Sequence, residues 1–344
     1  MPRRLRSIGA LLATTALSLT VATGTAHAAS PADAVVNGTG KSSPSAADGA
    51  DYWTPERMAA ATPAAEPTDA STTPSSPPSS GIAQSSPGSL PAGATAAPGT
   101  ATPQSLTYFW QSKVWSGHGV MPATTIGKLY FTDTSGEGHW CTATTIASNN
   151  RSTVWTAGHC VTDGKKHWYS KFLFAPDYHD AEWPYGTWSG KAWAAPNGYF
   201  DGGDKTYDMA AIALYTNNSG SKVGDVVGQQ GYQFSDSNNG RLWPDVRSFG
   251  YPQDTHPARS DIDPNAHDLR FCVGEVTTPA YQEISCDMGH GASGGPSLYD
   301  LQLSRGWGYI IGLNSFQNSM ASHINFGPVL GTAAVNALNA VKSQ

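Results

Sequence analysis

The most informative stretch of the sequence is Gly291-Ala292-Ser293-Gly294-Gly295-Pro296. A serine hydroxyl is a poor nucleophile until a base removes its proton, and the oxyanion formed by its attack needs preorganised donors. The glycines around Ser293 let the backbone turn tightly, so that the amides of Gly291 and Ser293 can point at one spot. The hexapeptide therefore predicts a nucleophilic serine with those two amides as oxyanion donors. An ordinary glycine-rich turn is the alternative.

A candidate base lies upstream, in Thr156-Ala157-Gly158-His159-Cys160. This segment directly follows a run of strand-forming residues. A disulfide from Cys160 to Cys141 on an earlier strand would hold the imidazole of His159 still. These flanks single out His159 among the ten histidines of the chain.

The candidate acid is Asp208, in Tyr207-Asp208-Met209-Ala210-Ala211-Ile212-Ala213-Leu214. An aspartate that enters a buried strand is costly unless it has a partner. The Nδ1–H of a histidine would satisfy the carboxylate and fix the tautomer of the ring. Asp201 and Asp204 are competitors for this role, but neither leads directly into a strand.

Composition argues against several classes of protein. Apolar residues make up 39% of the chain, charged residues 13%, and the formal net charge is −6. Because the basic residues are scattered, we expect no nucleic-acid partner. The four cysteines favour an oxidising compartment and the local pairs Cys141–Cys160 and Cys272–Cys286, with free thiols as the alternative. No CxxC or HExxH spacing is present, so we expect no metal and no cofactor.

The N-terminal third of the chain is typical of targeting and processing segments. Residues 1–28 combine a basic start, a short apolar run and Ala26-His27-Ala28, which predicts a removed signal peptide. Residues 29–104 are rich in Ala, Pro, Ser and Thr, and predict a disordered pro-segment and linker, or a retained stalk. Only the island around Tyr52-Trp53-Thr54-Pro55 has residues that could pack. We therefore expect a secreted, extracellular monomer that makes no membrane contact after signal removal.

The remainder of the chain has the texture of an all-β protein. Short runs of β-branched and aromatic residues recur between Gly, Pro, Asn and Asp, which favours a barrel or a sandwich. The runs are 126–132, 142–147, 153–156, 210–215, 269–273 and 308–313. Only the tail, 328–341, has helical spacing.

Together, the three motifs resemble the trypsin-like (chymotrypsin-fold) serine peptidases, in the chain order His, Asp, Ser. The resemblance implies two perpendicular six-stranded β-barrels with a C-terminal α-helix and the triad His159, Asp208 and Ser293 in the cleft between them. It divides the ordered body into a first lobe, 105–220, and a second lobe, 221–344. It also assigns Gly312-Leu313-Asn314-Ser315-Phe316 to the substrate-binding strand, where Ser315 would bond the triad aspartate and Phe316 would form a pocket wall.

Cys286, seven residues before Ser293, and the start Ile126-Gly127-Lys128-Leu129 differ from the vertebrate digestive enzymes and resemble the secreted bacterial branch related to glutamyl endopeptidases. Ala292 replaces the aspartate that pairs with a freed N-terminus, so a zymogen would need another control, such as a pro-segment that covers the cleft. Asn314 stands at or near the place of the specificity histidine of that branch, which argues against cleavage after glutamate. Asp287 at the base of the pocket would instead favour basic residues, with a surface salt link as the alternative, and His290 is a candidate for the pocket mouth.

The sequence thus predicts a serine endopeptidase that acts on proteins or peptides through an acyl-enzyme. The alternative is a non-catalytic binding or adhesion protein on a protease scaffold, since such proteins share the fold. Reaction of Ser293 with a fluorophosphonate would separate the two, because only an activated serine reacts.

Overall fold

The structure is a computed structural model that describes Met1 and residues 32–39, 47–67, 82–95, 106–318 and 321–344. Strands dominate the described residues, as the short β-branched runs predict. The strands are β1 (Val35–Thr39), β2 (Thr62–Pro63), β3 (Ala83–Ser86), β4 (Phe109–Val114), β5 (Ile126–Thr132), β6 (Gly138–Thr145), β7 (Thr153–Thr156), β8 (Ser170–Pro176), β9 (Trp188–Pro196), β10 (Ala210–Leu214), β11 (Gly231–Ser235), β12 (Leu242–Gly250), β13 (Arg270–Thr277), β14 (Gln282–Ser285), β15 (Pro296–Gln302), β16 (Trp307–Leu313), β17 (Phe316–Asn318) and β18 (Ala321–Gly327). The α-helices are α1 (Ala47–Ala50), α2 (Pro55–Ala60), α3 (Asn197–Gly202), α4 (Val223–Val227) and α5 (Thr332–Val341).

The first sheet closes into a six-stranded barrel. Its order is β8-β5-β6-β7-β10-β9, and the pairing of β9 with β8 closes the ring. Leu129, Val154 and Ile212 are fully buried and come from three different strands of this barrel. Because apolar side chains of adjacent strands converge in this way, the strand ends that carry the site are held on a packed core.

The second sheet contains six consecutive antiparallel strands in the order β18-β14-β13-β12-β15-β16. Strand β4 joins it by pairing with β13, and Trp115 packs edge-on against Phe271 with ring centroids 5.0 Å apart. Residues 109–114 therefore belong to the second sheet, although 105–220 was predicted to form the first lobe. The aromatic contact stabilises this crossing, because it partly buries the rings of Trp115 and Phe271.

The C-terminal helix is α5, as the spacing of the tail predicts. Its buried face includes Ala334, Leu338 and Val341. It packs against β9 and β10 of the first barrel, so the end of the chain returns from the second sheet to the first.

The described parts of the predicted pro-segment and linker are ordered, which corrects the expectation of disorder there. Strand β1 pairs with β9, β2 with β6, and β3 with β11 of the second sheet. Trp53 is buried, donates to the carbonyl of Lys171 at 2.6 Å and lies 5.3 Å from the ring of Tyr130. Composition missed this order because the exposed strand edges of the barrels supply hydrogen bonds that a polar segment lacks on its own.

Two disulfides tie the body together. They join Cys141 to Cys160 and Cys272 to Cys286, which is the local pairing that the sequence favours. The predicted signal peptide, 1–28, lies outside the described residues except for Met1. Within the described part of the chain, every helix is too short to cross a membrane.

Candidate active site

His159 and Asp208 form a tightly bonded pair at the rim of the first barrel. His159 lies in a single 3-10 turn, Gly158–Cys160, and Asp208 lies between another such turn and β10. The Asp208 carboxylate accepts from the His159 backbone amide and from Nδ1 of its ring, each at 2.7 Å. Asp208 is fully buried and His159 is 4% exposed. The carboxylate therefore fixes both the turn and the orientation of the imidazole.

Ser315 reaches the same carboxylate from the second sheet. It follows β16, and its backbone amide donates to the carbonyl of Phe326 at 2.8 Å, which fixes its position. Its hydroxyl donates to Oδ2 of Asp208. This is the contact that the family resemblance implies, and it leaves Asp208 with three hydrogen-bond donors.

Ser293 lies in the turn between β14 and β15. Gly291 and Gly294 have φ values of +92° and +82°, which only glycine adopts readily. A Cβ on Gly294 would lie 2.2 Å from the hydroxyl of Thr156, which precedes the His159 turn. The carbonyl of Ser293 accepts from the amide of Thr142 at 2.8 Å. The serine turn is therefore pressed directly against the first barrel.

One side-chain atom of His159 and one of Ser293 have no hydrogen bond among the described residues. Nε2 of His159 and Oγ of Ser293 are both buried and without a partner. Both atoms are therefore available to bond a ligand, although several other buried side-chain atoms of the described residues, such as the hydroxyl of Tyr251, also have no partner. Catalytic hydrogen bonds commonly tighten only when substrate binds.

The predicted oxyanion donors are available. Within the described residues, the amides of Gly291 and Ser293 donate no hydrogen bond. The carbonyl of Gly291 is instead held by the hydroxyl of Thr142 at 2.9 Å. A fixed backbone with two unengaged amides can stabilise a developing oxyanion without reorganising.

Asp287 does not stand free at the base of the pocket, which corrects the predicted role for basic specificity. It is fully buried. Its Oδ2 pairs with Nη1 of Arg259 at 2.8 Å, and its Oδ1 accepts from the amide of Ser112 at 2.8 Å. Since a guanidinium already neutralises this carboxylate, it has no charge left to attract a basic substrate side chain. The charge alone suggested the role, and Arg259 was not foreseeable from spacing.

The pocket beside Ser293 has walls from the serine turn and from residues 314–316, which follow β16. Phe316 forms one wall, as the resemblance implies, and stacks on Phe326 with ring centroids 5.3 Å apart. Asn314 also lines the pocket, but its amide group is engaged by Ser248 and by the carbonyl of Phe249. The lining residues are Glu66, Met288, Gly289, Ala292, Ser293, Asn314, Ser315, Phe316 and Asn325.

Glu66 lies in this pocket although no sequence pattern indicated it. Its Oε2 accepts from the backbone amide of Gln317, the residue after Phe316, at 3.0 Å. Burial raises the pKa of Glu66, and the charge of His290 and the Gln317 amide partly oppose that rise. A single glutamate in a segment rich in Ala and Pro gives no pattern that would predict a contact with Gln317, 251 positions away.

His290 is held by a carboxylate beside the same pocket. Its Nδ1 bonds Oδ2 of Asp254 at 2.9 Å, and its backbone amide donates to Oδ1 at 2.8 Å. The hydrogen bond that His290 makes to the Asp254 carboxylate raises the pKa of His290, and the charges of Asp254 and Glu66 add to the rise although burial opposes it. The side chain of His290 remains 40% exposed. The site therefore carries a fixed histidine next to a carboxylate.

Solved structures with similar folds are proteases. A protease, Anisep, from Arthrobacter nicotinovorans is 33% identical, has a TM-score of 0.58 and aligns over 68% of this chain and 100% of its own. A thermostable serine protease, AL20, from an extremophilic microorganism is 28% identical, with a TM-score of 0.54 over 64% of this chain and 99% of its own. A Glu endopeptidase at 24% identity and a TM-score of 0.53, aligned over 68% of this chain and 97% of its own, shares the fold.

Comparison with curated proteins and with family models adds less. A protein of Bacillus subtilis named extracellular metalloprotease is 35% identical over 119 residues, which is 32% of this chain and 36% of that protein. The match thus spans about a third of the length of the curated relative. No family model matches the chain.

That relative is named a metalloprotease. A metal near Ser293 would need a cluster of His, Cys, Asp or Glu side chains whose ligand atoms are open. Cys141, His159 and Cys160 lie close together, but both sulfurs are consumed by the disulfide. Asp254, His256 and His290 also lie close together, but Nδ1 of His290 and Oδ2 of Asp254 already bond each other. The residues around Ser293 therefore do not fit a catalytic metal.

Proposed function

The chain belongs to the chymotrypsin-fold serine proteases, and on this premise we propose that it is a secreted serine endopeptidase with the triad His159, Asp208 and Ser293. The observation that carries the proposal is the bonding of the buried Asp208 to His159 and Ser315. Such a carboxylate orients an imidazole and stabilises its protonated form. The unengaged hydroxyl of Ser293 supports its assignment as the nucleophile.

In the proposed mechanism, Nε2 of His159 takes the proton of the Ser293 hydroxyl as Oγ attacks the carbonyl carbon of the substrate. The amides of Gly291 and Ser293 stabilise the oxyanion. The imidazolium then gives its proton to the leaving amine, which leaves an acyl group on Ser293. Water, deprotonated by His159, attacks this ester and releases the acid, which restores the serine hydroxyl.

We propose proteins and peptides as substrates and the extracellular space as the place of action. The predicted signal peptide, 1–28, and the two disulfides support export. The curated relative is named extracellular, which supports the same location. The domain limits 29–104, 105–220 and 221–344 stay predictions, as do a monomeric state and synthesis as a zymogen.

The test is replacement of the nucleophile. We expect Ser293→Ala to lower casein hydrolysis by about 10⁴- to 10⁶-fold, because the acyl-enzyme can no longer form. Ser297→Ala is the matched control, since Ser297 is also buried in this region but, among the described residues, its hydroxyl bonds the side chain of Gln282 alone. It should keep its activity. Protein collected from the medium is used for each variant.

Two results would contradict the proposal. The first is equal casein hydrolysis by the Ser293→Ala variant and by the unaltered protein. The second is a failure of Ser293 to react with a fluorophosphonate in protein from which the predicted pro-segment and linker, 29–104, has been removed, which would favour a non-catalytic binding protein on the same scaffold.

A further inference from the structure

Segment 62–67 runs along the cleft of its own chain. Its first residues form β2, which pairs in parallel with β6, and the amide of Ala64 donates to the carbonyl of Trp140 at 2.9 Å. Upstream, buried Trp53 and Met58 anchor the segment on the first barrel. The segment therefore reaches Glu66 as a fixed piece of structure with apolar packing behind it.

Glu66 enters the pocket by its side chain. The pocket it lines also contains Ser293 and Phe316, and its carboxylate accepts from the amide of Gln317 at 3.0 Å. Burying a carboxylate is costly unless donors or positive charge compensate for lost water. The Gln317 amide and the charge of His290 compensate the Glu66 carboxylate in part, although burial still raises its pKa.

His290 is positioned to supply that compensation. The residues Gly289 and Ala292, which flank it, line the pocket that holds Glu66. Asp254 fixes the ring through Nδ1, which leaves Nε2 as the free edge of the imidazole. The charges of Glu66 and His290 stabilise each other, since each shifts the pKa of the other toward its charged form. Asn314, at or near the place of the specificity histidine of the related branch, already makes hydrogen bonds to Ser248 and to the carbonyl of Phe249.

The arrangement of the segment is that of an inhibitor and not of a substrate. Within the described residues, the carbonyl of Glu66 accepts no hydrogen bond from the amides of Gly291 or Ser293. The next residue is Pro67, so the bond after Glu66 is a tertiary amide without an N–H. A carbonyl outside the oxyanion position is not activated for attack, so the segment can fill the pocket without being cut.

We propose that His290 is a specificity-determining residue that makes this pocket select an acidic side chain, and that Glu66 is the built-in occupant that blocks the cleft before processing. This inference rests on the proposed function. In this proposal the Asp254–His290 pair and the Gln317 amide recognise the acidic side chain of the substrate. The basic specificity expected from Asp287 is thereby replaced.

The first experiment measures access to Ser293 in the intact chain. The full-length protein is checked by mass spectrometry and exposed to a fluorophosphonate, and the rate of labelling is followed. We expect Glu66→Gln to label at least about tenfold faster, because a neutral side chain loses the charge-assisted contacts that hold the segment. The matched control is Glu56→Gln, which alters an exposed glutamate in α2, upstream of the segment, and should label at the slow rate of the unaltered chain.

The second experiment measures selectivity in the processed enzyme. Peptide p-nitroanilides that differ only in Glu, Gln or Arg before the scissile bond are compared by kcat/KM. We expect Glu to exceed Gln and Arg by about tenfold or more, and His290→Gln to abolish that margin while hydrolysis of the Gln substrate persists. His267→Gln is the control, since His267 is a similar histidine paired with Asp263 outside the pocket.

The outcomes separate this inference from the proposed function. An enzyme that hydrolyses casein but shows equal labelling for Glu66→Gln and Glu56→Gln, or equal rates on Glu and Gln, would overturn the inference alone. Loss of the Glu preference when EDTA is added would also overturn it, because a bound ion and not the imidazole would then read the acid. Absence of labelling and hydrolysis in every processed form would instead refute the proposed function.

Discussion

Among the single residues of the site, Asp208 is the one whose hydrogen bonds join the first barrel to the second sheet. It is fully buried, and its three donors come from the His159 amide, the His159 ring and the Ser315 hydroxyl. Two donors belong to the first barrel and one to the second sheet. The charge of one carboxylate thus holds the two halves of the cleft in register.

Ser315→Ala tests this at a single atom. Because it removes a donor from a buried charge, we expect the free energy of unfolding to fall by about 1.5–3 kcal/mol and kcat to fall about tenfold. Urea unfolding and steady-state kinetics measure both. Ser297→Ala removes a hydrogen bond to the neutral amide of Gln282 and should cost about 1 kcal/mol with kcat retained. Equal effects of the two substitutions would argue against a special role for Ser315.

At the scale of elements, the two disulfides hold different parts of the site. Cys141–Cys160 ties β6 to the turn that carries His159 and closes a loop with a sequence separation of 19 residues. Cys272–Cys286 ties β13 to the end of β14 with a separation of 14 residues. Both loops are of similar length, so both disulfides constrain the unfolded chain to a similar extent.

Paired Cys→Ala substitutions should therefore agree in stability and differ in catalysis. We expect each double variant to lose about 3 kcal/mol of unfolding free energy. Removing Cys141–Cys160 should also lower kcat by up to about 100-fold, since small displacements of a catalytic group are costly. Removing Cys272–Cys286 should leave kcat near that of the parent. Similar kcat values in both double variants, measured well below their unfolding temperatures, would show that the disulfide does not position His159.

At the scale of the whole molecule, Lys128 joins the first barrel to the second lobe. It lies on β5, is 2% exposed, and its Nζ donates to the carbonyl of Asn265 at 2.9 Å. The ammonium lies over the rings of Trp140 and Tyr178, at 4.3 and 4.5 Å from their centroids. Burial lowers the pKa of Lys128 to about 7, although the charge of Asp263 opposes the change. The fold therefore contains a cation that is costly to keep charged.

This shift makes stability depend on pH with a definite sign. The unfolded chain keeps the ordinary lysine pKa of 10.5 while the folded chain has a value of about 7. Between these values the unfolded state binds more protons, so the free energy of unfolding should rise with pH, at a limiting slope of about 1.4 kcal/mol per pH unit. Conversely, stability is lost as the pH falls through that window.

Urea unfolding at pH 7 and pH 9 measures the slope. Lys128→Met should unfold at a higher urea concentration than the unaltered protein at pH 7, and its stability should rise less between the two pH values. Lys113→Met is the matched control, because Lys113 also lies over a ring, that of Phe109, but is exposed. Parallel pH profiles for Lys128→Met and the unaltered protein would refute this account.

Much of the fold and the position of the site were predictable from local sequence. The runs 126–132 and 153–156 form β5 and β7, and the helical spacing of the tail forms α5. The glycines of the Ser293 turn are required by positive φ values and close approach, which are local demands. Patterns of this kind are legible because neighbouring residues satisfy them.

The sequence alone predicted the all-β body and the order of the three motifs, and it favoured the local cysteine pairing. Only the tertiary structure decided that Asp287 is neutralised by Arg259, that β4 joins the second sheet, and that Glu66 lies beside Ser293. The reason is physical: the Gln317–Glu66 bond joins residues 251 positions apart. The charge state and the occupant of a pocket depend on which distant groups the fold brings there, and no spacing along the chain encodes that.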